Sequence, residues 1–230
     1  MSAVRFLTLG DSAVSVEFGQ EINLDINSQV IAFKEAVAVA VRSQELVGII
    51  ETVPTYCSLM IVYNPLLLDY DELIAALKGL IAGLQLESGK VREVVEIPVC
   101  YGGEYGPDLA EVAELHDMSE SEVIACHSKC EYPIYMLGFV AGFPYLGGMD
   151  EALATPRKKS PRLKIPAGSV GIAGSQTGIY SVESPGGWQI IGRTPLKLYD
   201  AAKENPILLS AGQSIRFKPI SETEFKAMMK

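Results

Sequence analysis

Histidine is nearly absent: the 230-residue chain has two, His116 and His127. A serine or cysteine nucleophile needs a base beside it, so this scarcity argues against triad chemistry. Cysteine is sparse as well. Cys57, Cys100, Cys126 and Cys130 are scattered, which gives no disulfide framework and points to reduced thiols. Cys126 and Cys130 stand four apart beside His127, so the helix expected there would carry both sulfurs on one face. A structural zinc site needs four ligands, however, and no second pair lies at a suitable spacing, so no metal site is expected. Long apolar runs are also missing. The most apolar stretch, Val30–Val41, is broken by Lys34 and Glu35, whereas a membrane span needs about 20 apolar residues. The opening residues MSAVRFLTLGDS lack the pattern of a secretory signal. The expectation is a cytoplasmic protein. Positive charge is in deficit too: 19 Lys and Arg against 28 Asp and Glu give −9. That balance argues against sequence-independent binding of nucleic acid.

What is present is enough apolar material, 48% of residues, for one large or two modest domains. Residues 4–9 and 13–18 read as strands around the turn Gly10-Asp11-Ser12. Ile22, Ile26, Val30, Phe33, Val37 and Val41 recur at helical spacing, with Asn23 as the cap. Strands at 47–53 and 58–63 follow, then a helix opened by Asp69-x-x-Glu72 as a capping box. The order ββαββα predicts an α+β domain over residues 1–88, an antiparallel sheet with two helices on one face. The polar stretch Leu86–Lys90 is the expected boundary. A second domain, residues 89–230, begins with a strand at 91–99. Gly106-Pro107-Asp108 is expected to start a helix, with proline at its first position. Ser119-x-x-Glu122 is expected to cap the helix carrying Cys126, His127 and Cys130. After Glu131 the pattern turns to short strands and turns, PILLSAGQSIRF near the end included, which predicts a mostly β barrel or sandwich.

The densest stretch is Gly138–Pro195, which holds eleven of the 21 glycines and six of the 13 prolines. Phe139, Phe143, Tyr145, Tyr180 and Trp188 are interleaved with them, so the segment is expected to be ordered rather than a linker. Between Pro156 and Lys203, eight Lys and Arg meet two acids, a net +6 that leaves −15 for the rest of the chain. Such an island suits a small carboxylate or phosphate; solvated basic loops are the plainer alternative, favoured for Lys158 and Lys159. Gly168, Gly171, Gly174 and Gly178 match neither a P-loop nor a dinucleotide fingerprint, and no Gly-x-Ser-x-Gly elbow occurs. Two readings stay open: backbone amides with Ser169, Gln176 and Thr177 as donors to a polar ligand, or a row of turns. Arg157, Arg162 and Arg193 lie in loops that can present a guanidinium fork, or they bond loop carbonyls. Tyr145 and Trp188 line a pocket or fill a core. His127 is a packed residue or an acid/base.

Taken together, GFPYLGG, TPR…SPR, IPAGSVGIAGSQTGIY, SPGGWQIIGRTP and LLSAGQSIRF resemble the KipI / 5-oxoprolinase B-subunit family, similar to one half of a urea carboxylase carboxyltransferase domain. LGDSAVSVEFG, VPTYCSLMIVYNP, YGGEYGPDLAEVA, SESEVIACHS and YPIYMLGF extend the likeness over nearly the whole chain. Ala141 departs from the family's usual proline, and altered loop stiffness is expected there. The resemblance implies a cyclophilin-like barrel for residues 89–230. It implies a heteromeric complex with C and A subunits that opens 5-oxo-L-proline to L-glutamate. ATP is the implied cofactor, held by this chain or chiefly by a partner in the complex. The resemblance also leaves two other roles: inhibition of a sensor histidine kinase, or a carboxyltransferase-type subunit for urea- or allophanate-like substrates. Fitting the residue readings above to that chemistry, and not carrying them over from the family, makes His127, Gln176 and Arg193 the candidate catalytic residues. Tyr145, Arg157, Arg162, Ser169, Thr177 and Trp188 are the candidate substrate- and anion-binding residues.

Overall fold

A computed structural model describes residues 4–84 and 93–229. The chain divides into two compact units, residues 1–91 and 92–230. The expected boundary at Leu86–Lys90, and the first two residues of the strand expected from Val91, lie outside the described residues.

The first unit runs β1 (Arg5–Leu9), β2 (Ala13–Glu17), α1 (Leu24–Arg42), β3 (Ile49–Pro54), β4 (Ser58–Tyr63) and α2 (Tyr70–Ala82). Its strands form one antiparallel sheet in the order β1-β2-β4-β3. Because side chains alternate along a strand, Val14 and Val16 share a face with Leu59, Ile61 and Tyr63. That face packs on Val30, Phe33 and Val37 of α1 and Leu73 and Leu77 of α2. Asn23 caps α1, its Oδ1 accepting from the amides of Asp25 at 2.7 Å and Ile26 at 3.3 Å. Asp69 caps α2 through the Asp71 amide at 2.8 Å, one residue short of the box expected with Glu72.

The second unit contains β5 (Val94–Tyr101), α3 (Leu109–Leu115), α4 (Glu120–Ser128), β6 (Glu131–Leu137), β7 (Pro144–Leu146), β8 (Arg162–Ile165), β9 (Ser169–Ala173), β10 (Gln176–Ile179), β11 (Ser184–Gly186), β12 (Gln189–Arg193), β13 (Ser214–Pro219) and α5 (Glu222–Met228). Seven strands close a barrel in the order β10-β7-β6-β13-β5-β12-β9, while β8 and β11 pair as a separate ribbon. Every barrel pairing is antiparallel except β5 with β13. The interior is filled by Ile97, Val99, Ile134, Val170, Ile172, Ile179, Ile191, Ile215 and Phe217, all at most 1% exposed. Each such residue contributes about 1.5–3 kcal/mol by leaving water.

Three expectations change here. The helix after Gly106 starts at Leu109, and Asp108 sits at its cap position without a side-chain capping bond, because its carboxylate is engaged elsewhere. The box at Ser119 and Glu122 does form, but α4 ends at Ser128, so Cys130 lies beyond the helix and shares no helical face with Cys126. Of PILLSAGQSIRF, Ser214 onward is strand; Tyr199 and Ile207 form only an isolated bridge.

Candidate functional site

The barrel wall sorts the expected site residues onto two sides. Along β9, Val170 and Ile172 face the interior, so Ser169, Gly171 and Ala173 face outward; along β10, Thr177 and Ile179 face in and Gln176 and Gly178 out. Tyr145 pairs with Gly178, and Arg193 pairs with Ser169. Ser169, Gln176, Tyr145 and Arg193 therefore belong to the outer face, and Thr177 to the inner one.

His127 joins Thr177 inside. The ring is fully buried and stacks on Phe217 at 4.4 Å between centroids. Thr177 Oγ1 donates to the Gly171 carbonyl at 3.1 Å. With its one proton engaged there, the hydroxyl accepts from His127 Nε2 at 2.8 Å. His127 Nδ1 is then the acceptor, and the Tyr101 hydroxyl donates to it at 2.8 Å. Burial holds the imidazole neutral, its pKa pushed down to about 3. Tyr101 is held protonated by the same burial, well above the ordinary phenol range. Every polar atom of the ring is satisfied within the barrel, so His127 and Thr177 are packing residues with no open approach from the outer face.

On the outer face a second cluster forms from Phe143, Ile165, Ala173, Tyr180, Trp188 and Ile190, with Val140 and Tyr145 against it. The rings meet edge to face: Phe143 lies 5.6 Å from Trp188, 5.5 Å from Tyr180 and 5.1 Å from Tyr145, the geometry aromatic quadrupoles favour. They lie directly on bare backbone. A Cβ on Gly178 would stand 3.0 Å from Phe143 and 3.1 Å from Trp188. Tyr180 is the member that sequence reasoning placed only among core residues. Its pKa is raised to about 12 by burial, opposed by Arg157, by the Trp188 amide bonded to its hydroxyl and by Arg162. Two of the expected arginines thus act on this phenol through their charge. The third, Arg193, donates from Nε to the Ala167 carbonyl at 2.8 Å, beside Gly168. Gly168 has φ +84°, and its Cβ would meet the Thr194 carbonyl at 2.4 Å, so glycine is required for both reasons.

Arg162 does not have an open fork. Its two terminal nitrogens hold both oxygens of Asp108, at 2.8 and 2.7 Å. The Ile190 amide adds a bond to Asp108 Oδ2 at 2.7 Å, and Lys158 reaches Asp108 at 2.9 Å and Glu111 at 2.8 Å. Burial works to raise the Asp108 carboxyl, but the bonds from Arg162, Ile190 and Lys158 outweigh it and hold it below its ordinary value. Lys158 is therefore an anchored residue and not a solvated loop cation. Arg157, Lys159, Arg193, Lys197 and Lys203 form no ion pair among the described residues.

The amides of the glycine run are already bonded. Gly168 N donates to Tyr180 O at 2.7 Å, Ser169 N to Pro166 O at 3.2 Å, Gly174 N to Thr155 O at 2.7 Å and Tyr180 N to Ser169 O at 2.8 Å. The run is a β9–β10 hairpin with a two-residue turn at Gly174-Ser175, so these amides are engaged within the protein rather than open to a ligand. Among the described residues no group of three or more His, Cys, Asp or Glu is placed to hold a metal, and all four cysteines are free.

The β6–β7 connection borders the aromatic cluster. Val140 N donates to Gly138 O at 2.7 Å across Phe139, and Phe143 N to Val140 O at 3.1 Å across Ala141-Gly142. Gly142 has φ +77°, which makes the second turn type II with Ala141 at the position proline favours.

Residues 4–209 match the family described as carboxyltransferase domain, subdomain C and D. The chain is 44% identical to the 5-oxoprolinase B subunit of Bacillus subtilis, over 95% of this chain and 94% of that one. It is 41% identical to the Escherichia coli O157:H7 protein of the same name, over 96% and 99%. The crystal structure of TTHA0988 superposes with a TM-score of 0.79 at 38% identity, covering 95% of this chain and 40% of that longer one. The urea amidolyase of K. lactis shares the fold, with a TM-score of 0.75 at 21% identity over 97% of this chain and 15% of its own.

Proposed function

Because the chain belongs to the carboxyltransferase-domain family as its subdomains C and D, we propose that it is the B subunit of an ATP-dependent 5-oxoprolinase and works in a heteromeric complex with C and A subunits. One observation carries this reading: identity of 41–44% extends over 94–99% of the length of two proteins named as the B subunit of 5-oxoprolinase. The barrel is of the cyclophilin-like type, and the site is the outer wall with Tyr145, Gln176, Trp188 and the arginines.

Ring opening turns one carboxylate and a neutral lactam into two carboxylates and an ammonium, so cationic groups beside the ring stabilise what the reaction creates. Arg157 and Arg193 supply those cations here, since neither is tied to an acid among the described residues. Arg162 acts at one remove, its fork held by Asp108. The glycine run does not fit a triphosphate: its amides face protein carbonyls, and a phosphate cradle needs them open. ATP accordingly belongs to a partner in the complex, and no step on this chain passes through it.

The test is co-expression of the full chain with the C and A subunits, followed by measurement of glutamate release from 5-oxoproline. Release that requires ATP is expected; an assembled complex that releases none overturns the reading. In that complex Arg193→Ala is expected to lower turnover at least a hundredfold while leaving the chain folded, with only the small loss of stability that its bond to the Ala167 carbonyl accounts for. A second reading, action on urea-like substrates, rests on 26% identity to the urea amidolyase of Saccharomyces cerevisiae, and the same assay with urea or allophanate decides it.

A further inference from the structure

Among the described residues, Phe139 is the one aromatic on the outer face that is both strained and uncovered. Its φ is +64°, and the bond from Val140 N to Gly138 O closes a three-residue turn around it. That is the γ-turn of the rare, strained hand, at a bulky side chain that the left-handed region disfavours. The ring is 65% exposed. It touches Phe143 edge-on at 5.8 Å, so it stands on the rim of the buried aromatic cluster and does not fill it. A second apolar side chain is exposed on the strand that contributes Ile165 to the same cluster. Leu163 is 89% exposed and lies two residues before Ile165, which is fully buried in that cluster, on the same side of β8 by strand alternation. Backbone strain next to exposed apolar surface points to a function that the folded chain alone does not satisfy. A ring this exposed suits the broad contact of a protein surface.

The occupant follows from the relatives. The matching part of TTHA0988 is 40% of a longer chain at 38% identity, whereas the B. subtilis and E. coli relatives of nearly equal length are named as subunits. More chain accompanies this fold in the first case, and the relatives in the second are named as parts of an assembly. The exposed cations nearby in sequence, Arg157 and Lys159, favour an acidic rim on that partner.

We propose that Phe139, with Leu163, is an anchor that inserts into an apolar, acid-rimmed pocket of the C subunit, the β6–β7 turn being held in its strained form to present the ring. This rests on the 5-oxoprolinase reading for the identity of the partner. The test is association of the full chain with the co-purified C subunit, measured by calorimetry for wild type, Phe139→Ala, Phe139→Gly and Leu163→Ser. Phe139→Ala is expected to weaken association at least tenfold with the thermal midpoint of the isolated chain unchanged, and Leu163→Ser to weaken it less. Phe139→Gly is expected to weaken association and raise that midpoint, because glycine relieves the positive φ. Wild-type affinity in Phe139→Ala overturns the proposal, as does unchanged association with a raised KM for 5-oxoproline, which would make Phe139 a substrate contact. A wild-type complex that forms but opens no 5-oxoproline removes the enzymatic reading and leaves the anchor standing on the association data. Failure of wild type to bind the C subunit removes the anchor itself.

Discussion

His127 and Ala141 show how single residues carry consequences that their neighbours in sequence conceal. The folded chain keeps His127 neutral down to about pH 3, while the unfolded chain takes up a proton near pH 6.5. Between those values the unfolded state binds more protons, so stability falls as pH falls through this window, by up to about 1.4 kcal/mol per pH unit. Urea unfolding from pH 7 to pH 4 is expected to show this slope, and His127→Gln to show it reduced after correction for its own lower baseline. An equal slope in the variant would assign the acid sensitivity to other groups. At Ala141 the backbone already has the type II turn that proline prefers, and its amide has no acceptor among the described residues. The Ser181 hydroxyl bonds the Ala141 carbonyl at 2.6 Å, which proline would keep. Ala141→Pro is therefore expected to stabilise the chain by about 0.4–1 kcal/mol through the unfolded state, read as a higher urea midpoint. The turn therefore forms with alanine at the position that proline favours.

Among the elements, the arm that leads through Pro156 into β8 owes its position to a carboxylate at the start of α3. Asp108→Asn leaves Arg162 and Lys158 without a buried counter-charge and is expected to cost about 3 kcal/mol. Limited proteolysis between Pro156 and Pro166 should become faster in the variant, and an unchanged cleavage rate would show that the ribbon holds without the latch. Asp108 also contributes to acid sensitivity. Its folded pKa is depressed, so its contribution is complete above pH 4 and is lost as pH falls through the folded value. This latch was not legible in the sequence, because Asp108 and Arg162 are 54 residues apart and an aspartate after an opening proline reads first as a residue of the helix's first turn. What was legible was local. Alternation in β1, β2 and β4, the 3.6-residue period of α1 and the box at Ser119 and Glu122 each declare themselves within a dozen residues. Helix α5 carries an equally plain signal, a capping box from Ser221 to Glu224. The site was legible as a region and not as an arrangement. Composition marks Gly138–Pro195, but which residues face inward depends on barrel register, and that register divides Thr177 from Arg193 and Gln176.

For the whole molecule, the net +6 of the basic segment is smaller in effect than in count. Lys158 and Arg162 are balanced by Asp108 and Glu111, and Lys164 pairs with Glu183 at 3.2 Å. The cations left for a ligand or partner are few, and the groups expected to act on the lactam, Arg157 and Arg193, have no internal acid/base among the outer-face residues beside them. The isolated chain is accordingly expected to release no glutamate from 5-oxoproline, with or without ATP. Turnover by the purified chain alone would mean that the wall is a complete site.

The parallel pairing of β5 with β13 reaches further than architecture. β13 lies between β5 and β6 in the barrel, and Gln213 is bonded to Glu93 across 120 residues of sequence. During synthesis, every other strand of the barrel leaves the ribosome before the one that joins β5 to β6. Until residue 219 emerges, both strands present unpaired edges, the kind of surface that recruits other chains. Such high contact order makes closure slow. The nascent chain is therefore most exposed to aggregation until β13 has emerged, and a truncation that removes β13 would leave an open sheet rather than a smaller barrel.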